Sequence, residues 1–399
     1  MADRKRPIAT TARALGLFGF FMLAAVILPR ALGASAKKPA IAKSYFVYVG
    51  TYTRTSSKGI YGYRFDPRTG KFTSTGLAAE VKNPAFLASD PTHRFLYAVS
   101  EIGNDGQSHG AVNSFAIDPK SGSLKFLNKV DSGGGGACHL TLDHTGKILF
   151  VANYGSGNVA SFAINPDGSI GEQTGFDQHS GSGPNAERQE GPHAHAVVLS
   201  PDNRFLFVPD LGTDQIRSYR VDVAKRTFTP NDPAFVSVTA GLGPRHFLFG
   251  RSGKFAYVVC EMKSSVVAFS YDPVKGALTP IQTISTLPPD YRGIDNSAEI
   301  GIDPSGRFLY ASNRGHDSIA VFAIDPEKGT LTRVQVAPSL GMIPRNFAVD
   351  PTGKYLLVAN QMSNQMVVFA IDPANGTLKP AGQTLDLNSP VAILFVPAG

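Results

Sequence analysis

Apolar and polar positions along this chain alternate in short bursts, and the bursts return in one frame. Asp303 to Asn313 reads DPSGRFLYASN: a turn, an aromatic-aliphatic run, then a polar residue. Asp350 to Asn360 (DPTGKYLLVAN), Ser200 to Asp210 (SPDNRFLFVPD) and Asp143 to Asn153 (DHTGKILFVAN) repeat it, and degenerate copies begin at Asp90 and Gly250. Successive starts lie 47 to 57 residues apart. A period of this size built from short strands predicts a β-propeller rather than a helical solenoid.

Each unit divides into four strands. The first is short and apolar, as in Ala196 to Leu199 (AVVL), and a Pro/Asp/Gly turn leads to the aromatic run as strand two. Strand three alternates, as in Ser318 to Ile324 (SIAVFAI), and a second turn such as Asp325 to Gly329 (DPEKG) leads to strand four. Aspartates in these turns cap their own backbone and carry no functional signal. Seven units are marked: Tyr45–Gly76, Pro84–Val130, Ala137–Phe176, His193–Val238, Pro244–Leu287, Ser297–Pro338 and Pro344–Leu387. The first lacks an innermost strand. The tail Pro390–Pro397 (PVAILFVP) is expected to supply it, pairing the two ends of the chain and removing free sheet edges. The expected fold is an all-β, seven-bladed propeller of four-stranded antiparallel blades over residues 45–399.

Length alone would suggest two or three domains for 399 residues, but a propeller closes as one unit. A hydrophobic content of 42% and 41 glycines suit a turn-rich β protein. Residues 1–36 are different. A basic start (Arg4, Lys5, Arg6), an uncharged apolar run from Leu15 to Leu28 and a small-x-small site at Ala34 to Ala36 read as a secretory signal peptide. The run falls short of the roughly 18 apolar residues a membrane span needs, so an uncleaved anchor is the lesser reading. The protein is therefore expected in the periplasm or outside the cell, with residues 37–44 as a linker. Net charge is +7, of which residues 1–36 contribute more than half. The remainder is too small, and too free of basic stripes, to argue for nucleic acid. Cys138 and Cys260 lie two repeats apart and read as unpaired buried thiols. No cofactor is expected, and a monomer is.

Strand order predicts where polar residues meet. The start of strand one and the end of strand two must lie on one face of the ring, and strand one lines the central channel. At the strand-one start the pairs read Ala85-Phe86, Cys138-His139, His195-Ala196, Arg245-His246, Ala298-Glu299 and Arg345-Asn346. At the strand-two end stand Tyr52, Glu101, Tyr154, Leu211, Glu261, Arg314 and Gln361. A structural repeat would keep one residue type in each column. His, Arg, Glu and Tyr that differ from blade to blade are what an asymmetric ligand site at a channel mouth requires. Two inserts, 177–192 and 287–297, precede a strand one and could border that site.

Other features read as structural. Asn153, Asp210, Asn313 and Asn360 share a column and are expected to bond turn backbone. His193 and His195 form a His-x-His pair, which on a regular strand points both rings one way, but no third ligand follows at metal spacing. His316 either caps the turn at Gly315 or faces the ligand. His109, His144 and His179 fall in turns and loops. Arg245, Arg314 and Arg345 could be ion-pair partners of Glu101, Glu261 and Glu299, or could bind a carboxylate or phosphate.

At these residues the chain resembles the lactonases of the seven-bladed β-propeller type, a group with bacterial propeller-type 6-phosphogluconolactonases and the fungal carboxy-cis,cis-muconate lactonizing enzyme. The resemblance is carried by Arg188 to His195 (RQEGPHAH), Val208 to Asp214 (VPDLGTD), Gly243 to His246 (GPRH), Ala298 to Ile300 (AEI) and Gly306 to Ile319 (GRFLYASNRGHDSI), and it covers about residues 45–397. It implies metal-independent opening of a lactone, with His195, Glu261, Arg245 and Arg314 as acid/base and anion clamp. His193, His246, Glu299, His316, Arg345, Glu101 and Tyr154 would surround the substrate, a lactone or anionic sugar. No Gly-x-Ser-x-Gly elbow is present, so attack by water is expected rather than an acyl-enzyme. Muconate-type cycloisomerisation, or a propeller that only binds, are the competing readings.

Overall fold

The computed structural model describes residues 42–294 and 296–399; the expected leader lies outside them. Among the described residues every regular element is a strand, and 28 strands form seven four-stranded antiparallel sheets. Blade 1 has the order Pro390–Pro397, Tyr45–Thr51, Gly59–Asp66, Lys71–Glu80, so its innermost strand comes from the C-terminus. That strand pairs in register with the N-terminal one, from Tyr45 opposite Pro397 to Gly50 opposite Ala392. Blades 2 to 7 each run through four consecutive strands, the innermost being Leu87–Ser89, Ala137–Leu142, Val198–Leu199, Pro244–Phe249, Asn296–Ile302 and Pro344–Val349. Among the described residues no helix is long and apolar enough to cross a membrane.

The core lies between blades. Among the described residues hydrophobic clusters span the junctions of neighbouring blades, as where Phe308, Tyr310 and Val321 of blade 6 meet Phe347, Val358 and Phe369 of blade 7. Each such aromatic contributes about 1.5–3 kcal/mol by leaving water. The repeated turn supplies a second lock. The Tyr310 hydroxyl of blade 6 donates to the Gly376 carbonyl of blade 7 (3.0 Å), and Tyr257 donates likewise to Gly329 (3.0 Å). These glycines have positive φ, and a Cβ on Gly376 would lie 2.4 Å from the Phe308 ring. The turn therefore needs glycine twice over, for its left-handed backbone and for the ring beneath it. At the junction of blades 7 and 1 the ring beneath the glycine recurs, a Cβ on Gly70 lying 2.5 Å from Tyr355, but Leu357 stands where Tyr310 does and no hydroxyl bond joins it.

One device recurs at the inner edge. Pro244 pairs with Cys260 and His246 with Val259, leaving Arg245 as an extra residue. The same slip isolates Cys138 between Ala137 and His139, and Arg345 between Pro344 and Asn346. In blade 4 an isolated bridge joins Ala194 to Asp210, and regular pairing resumes only at Val198. A β-bulge at the first turn of strand one bends the strand and re-aims its side chain.

Candidate active site

The bulges sort the strand-one pairs into two layers. The upper layer opens on a cavity of about 300 Å³ at the channel mouth. Of the residues expected there, Glu101, Tyr154, His195, Glu261, Arg314 and Arg345 line it. Arg188, Asn104, Cys138 and Asn296 complete the wall, and none of the four was singled out as a site residue from the sequence. Arg188 was hidden because its insert has no register with the repeat; its only sign was its place in the RQEGPHAH stretch.

Glu261 is the hub of the wall. Its Oε2 accepts from Arg245 Nε (3.0 Å) and pairs with Arg314 Nη2 (2.9 Å), while Oε1 accepts from Arg188 Nη2 (2.6 Å). Burial by itself would raise the Glu261 carboxyl, but the field of Arg314, Arg245 and Arg188 overrides it and holds the acid far below its usual range. Glu261 is thus a fixed anion. Across the cavity Glu101 accepts from the Tyr52 hydroxyl (2.6 Å) and Asn104 Nδ2 (2.8 Å), and Arg345 lies 3.6 Å from it while its guanidinium covers the Tyr52 ring.

His195 faces the cavity between these carboxylates. Its Nδ1 lies 3.8 Å from the Cys138 thiol, and its ring meets Tyr154 edge-on at 5.4 Å. Burial first, then Arg245, His246 and Arg345, push its pKa well below 6.5, so the imidazole is neutral. Burial also raises the Cys138 thiol to about 12, which leaves it protonated and a poor nucleophile.

Five expected residues sit elsewhere. Arg245 is 2% exposed and lies behind Glu261, with Nη1 donating to the Ala298 carbonyl (2.6 Å) and to His246 Nε2 (3.2 Å). It braces the wall and does not line it. His246 and Glu299 belong to the lower layer, a plug across the channel in which Phe86 stacks on His139 at 3.9 Å and His139 meets His246 at 5.2 Å. His246 Nδ1 donates to Glu299 Oε1 (2.9 Å), and Asn346 Nδ2 donates to Oε2. Burial raises the Glu299 acid to about 7 against the opposing pull of Arg245 and the Ile300 N–H. His193 lies behind Tyr154, stacked on its ring at 4.4 Å and donating from Nδ1 to the Tyr154 carbonyl (2.9 Å). His316 bonds Ser318 Oγ (2.7 Å) inside its own turn and meets Tyr291 edge-on.

The two rings of the His-x-His pair thus do separate work, and among the described residues no group of three or more His, Cys, Asp or Glu side chains is placed to hold a metal ion. The Asn column bonds backbone as expected: Asn153 to Ser132, Asn313 to Thr286 and Asn360 to Ser339. His179 lies in a loop as expected, just past the strand that ends at Gln178, but it is not idle. It is fully buried, bonded through Nδ1 to Asp210 (2.5 Å) and through Nε2 to the Tyr219 hydroxyl (2.9 Å). Both cysteines are free and buried.

The family described as "Lactonase, 7-bladed beta-propeller" matches residues 46–395. The chain belongs to the seven-bladed β-propeller lactonases. It is 36% identical over 303 residues to a 6-phosphogluconolactonase of Bacillus subtilis, covering 76% of this chain and 84% of that protein. A 6-phosphogluconolactonase of Formosa agariphila is 35% identical over 309 residues, 76% of this chain and 85% of that one. Among solved structures, the periplasmic gluconolactonase of Pseudomonas aeruginosa superposes with a TM-score of 0.84 at 37% identity, covering 89% of this chain and all of the other. Within a lactonase, one neutral imidazole among anchored guanidiniums is chemistry suited to an ester carbonyl.

Proposed function

We propose that this lactonase opens a sugar-acid lactone at the channel mouth by direct attack of water. The observation that carries the reading is His195: a neutral imidazole facing a cavity whose walls are guanidiniums held on two carboxylates. His195 takes a proton from water as the water oxygen bonds to the lactone carbonyl carbon. Arg345 and Arg314 donate to the oxyanion that forms. When the ring C–O bond breaks, the imidazolium returns its proton to the leaving oxygen. One water is consumed, a hydroxy acid is released and the imidazole is restored. Burial and the neighbouring arginines, which keep His195 neutral, also make its imidazolium a strong acid, which favours that second transfer. Glu261 stays ionised throughout, so its role is to position the arginines and not to shuttle protons.

Relatives named 6-phosphogluconolactonase and periplasmic gluconolactonase support a gluconolactone-type substrate, phosphorylated or not. The leader-like residues 1–36 favour the periplasm or the medium as the place of action. The test is proton release by the purified protein on gluconolactone, 6-phosphogluconolactone and a muconolactone, with EDTA present. Turnover is expected to survive EDTA. His195→Asn is expected to lower kcat by about 10²–10⁴-fold with the melting temperature held. A folded protein inert on all three lactones, or a His195→Asn variant at full rate, would remove the reading.

A further inference from the structure

The wall holds more positive charge than its carboxylates neutralise. Arg188, Arg314 and Arg345 face Glu101 and Glu261, and Arg245 stands directly behind. One more anion is electrostatically due at this mouth, and the question is which guanidinium takes it.

The four arginines differ in how far they are already committed. Arg245 is spent on Glu261, Ala298 and His246. Arg314 is tied to main chain, with Nε on the Asn296 carbonyl (3.1 Å) and Nη2 on that of Ser297 (3.2 Å). Arg345 is 17% exposed and close enough to His195 to depress its protonation, so it belongs to the reacting carbonyl. Arg188 is the outermost, with a side chain 37% exposed. Its Nη2 alone is engaged, on Glu261 and at 3.4 Å from the Tyr154 hydroxyl. Nε and Nη1 donate to no protein group among the described residues, which leaves most of the planar donor fork free.

The fork is also well aimed. Arg188 comes from the 177–192 insert, and the next residue, Gln189, is wholly buried. Gln189 Nε2 donates to the Leu211 carbonyl (2.8 Å), and its own N–H to the Asn185 carbonyl (2.7 Å). Asn185 Oδ1 in turn accepts the Arg188 N–H (3.1 Å). A surface arginine on a loose loop would lose much of its binding in ordering itself; this one is ordered beforehand.

We propose that Arg188 is the specificity-determining residue of this site, binding an anionic group, a phosphate or a carboxylate, on the substrate's end remote from the lactone carbonyl. The assignment rests on the lactonase reading for its substrate class. Glu261 holds the guanidinium in place through Nη2 before the substrate arrives, and the unengaged Nε and Nη1 N–H groups are left to donate charge-assisted hydrogen bonds to the anion.

The test separates binding from turnover. Calorimetric titration of the protein with 6-phosphogluconate and with gluconate reads the anion site whether or not the lactones are opened. Arg188→Gln is expected to weaken 6-phosphogluconate by about ten-fold or more while gluconate shifts by less than about three-fold, and Arg188→Lys is expected to recover part of the difference. In kinetics the same variant should raise KM for 6-phosphogluconolactone far more than for gluconolactone. An equal loss for both ligands would mean that Arg188 only props Glu261, and no loss would mean that it binds nothing; either overturns the assignment. Selective binding through Arg188 in a protein that opens no lactone would keep the assignment and defeat the lactonase reading.

Discussion

Glu261 shows how a single side chain sets the electrostatics of the mouth. Three guanidiniums converge on its two oxygens, two of them on Oε2. Substituting Glu261→Gln keeps the shape and removes the charge, leaving Arg245, 3% exposed at its side chain, with no anionic partner at its Nε. A loss of about 3–5 kcal/mol is expected, read as a lower urea midpoint with an unchanged slope, together with a collapse of turnover. A variant of native stability would show that substrate or solvent anions already neutralise this wall. At this scale the sequence was informative where a residue broke a column. Glu261, Arg314 and His195 stand where other blades carry Leu211, Gln361 or Ala85, so their oddity was visible. Depth was not visible. Arg245 and Arg345 occupy the same column, yet one braces the wall and the other lines it, because that depends on which carboxylate each meets in three dimensions.

Among the elements, the bulge and the insert matter most. A regular strand would send alternate residues to opposite faces, and the unpaired residue at the head of strand one breaks that alternation. The bulge separates Cys138, Arg245 and Arg345 from His139, His246 and Asn346, and the alternation of the sequence does not show which residue is the extra one. The 177–192 insert is pinned at its root by His179, which bridges Asp210 and the Tyr219 hydroxyl, while Tyr219 also donates to Asp177 (2.7 Å). His179→Ala would leave the Asp210 carboxylate buried without that partner. The insert is expected to open before the blades do. Hydrogen exchange should therefore quicken over 177–192 while the strand-two segments keep their protection. Uniform loss of protection would instead make the clamp part of the global fold. The sequence flagged the insert by its length but gave no sign of the clamp, since a lone histidine acquires its partners only when two blades meet.

The whole molecule carries a pH dependence with a definite sign. His139, His195 and His246 are packed in the channel with Arg245 close by, and burial holds each neutral, well below 6.5. The unfolded chain takes up protons there that the folded chain refuses, so stability falls as pH drops below about 6.5. Glu299 works the other way. Its acid is raised from 4.5 to about 7, so between those values the folded state holds a proton the unfolded state lacks. Its contribution is full below 4.5 and is lost as pH rises through 7. With three groups against one, net stability is expected to decline on acidification. Glu299→Gln removes the opposing contribution, so its melting temperature should fall more steeply than the wild type's between pH 7 and pH 5. Parallel curves would show that Glu299 is ionised in the folded state across that range.

By itself the sequence determined the seven-fold repeat, the strand order within each blade, the ring of turns and the columns from which a mouth could be assembled. Those follow from local chemistry: turn residues at fixed offsets and apolar runs of strand length act within a few residues of one another. Only the tertiary structure decided which column members reach the cavity, that Arg188 joins them, and that His246 and Glu299 lie in a plug beneath. Those outcomes depend on bulges, on an insert folding back over the mouth and on charges from four blades sharing two carboxylates. None of these is a property of any one segment, because each arises only when the ring closes and water leaves its centre.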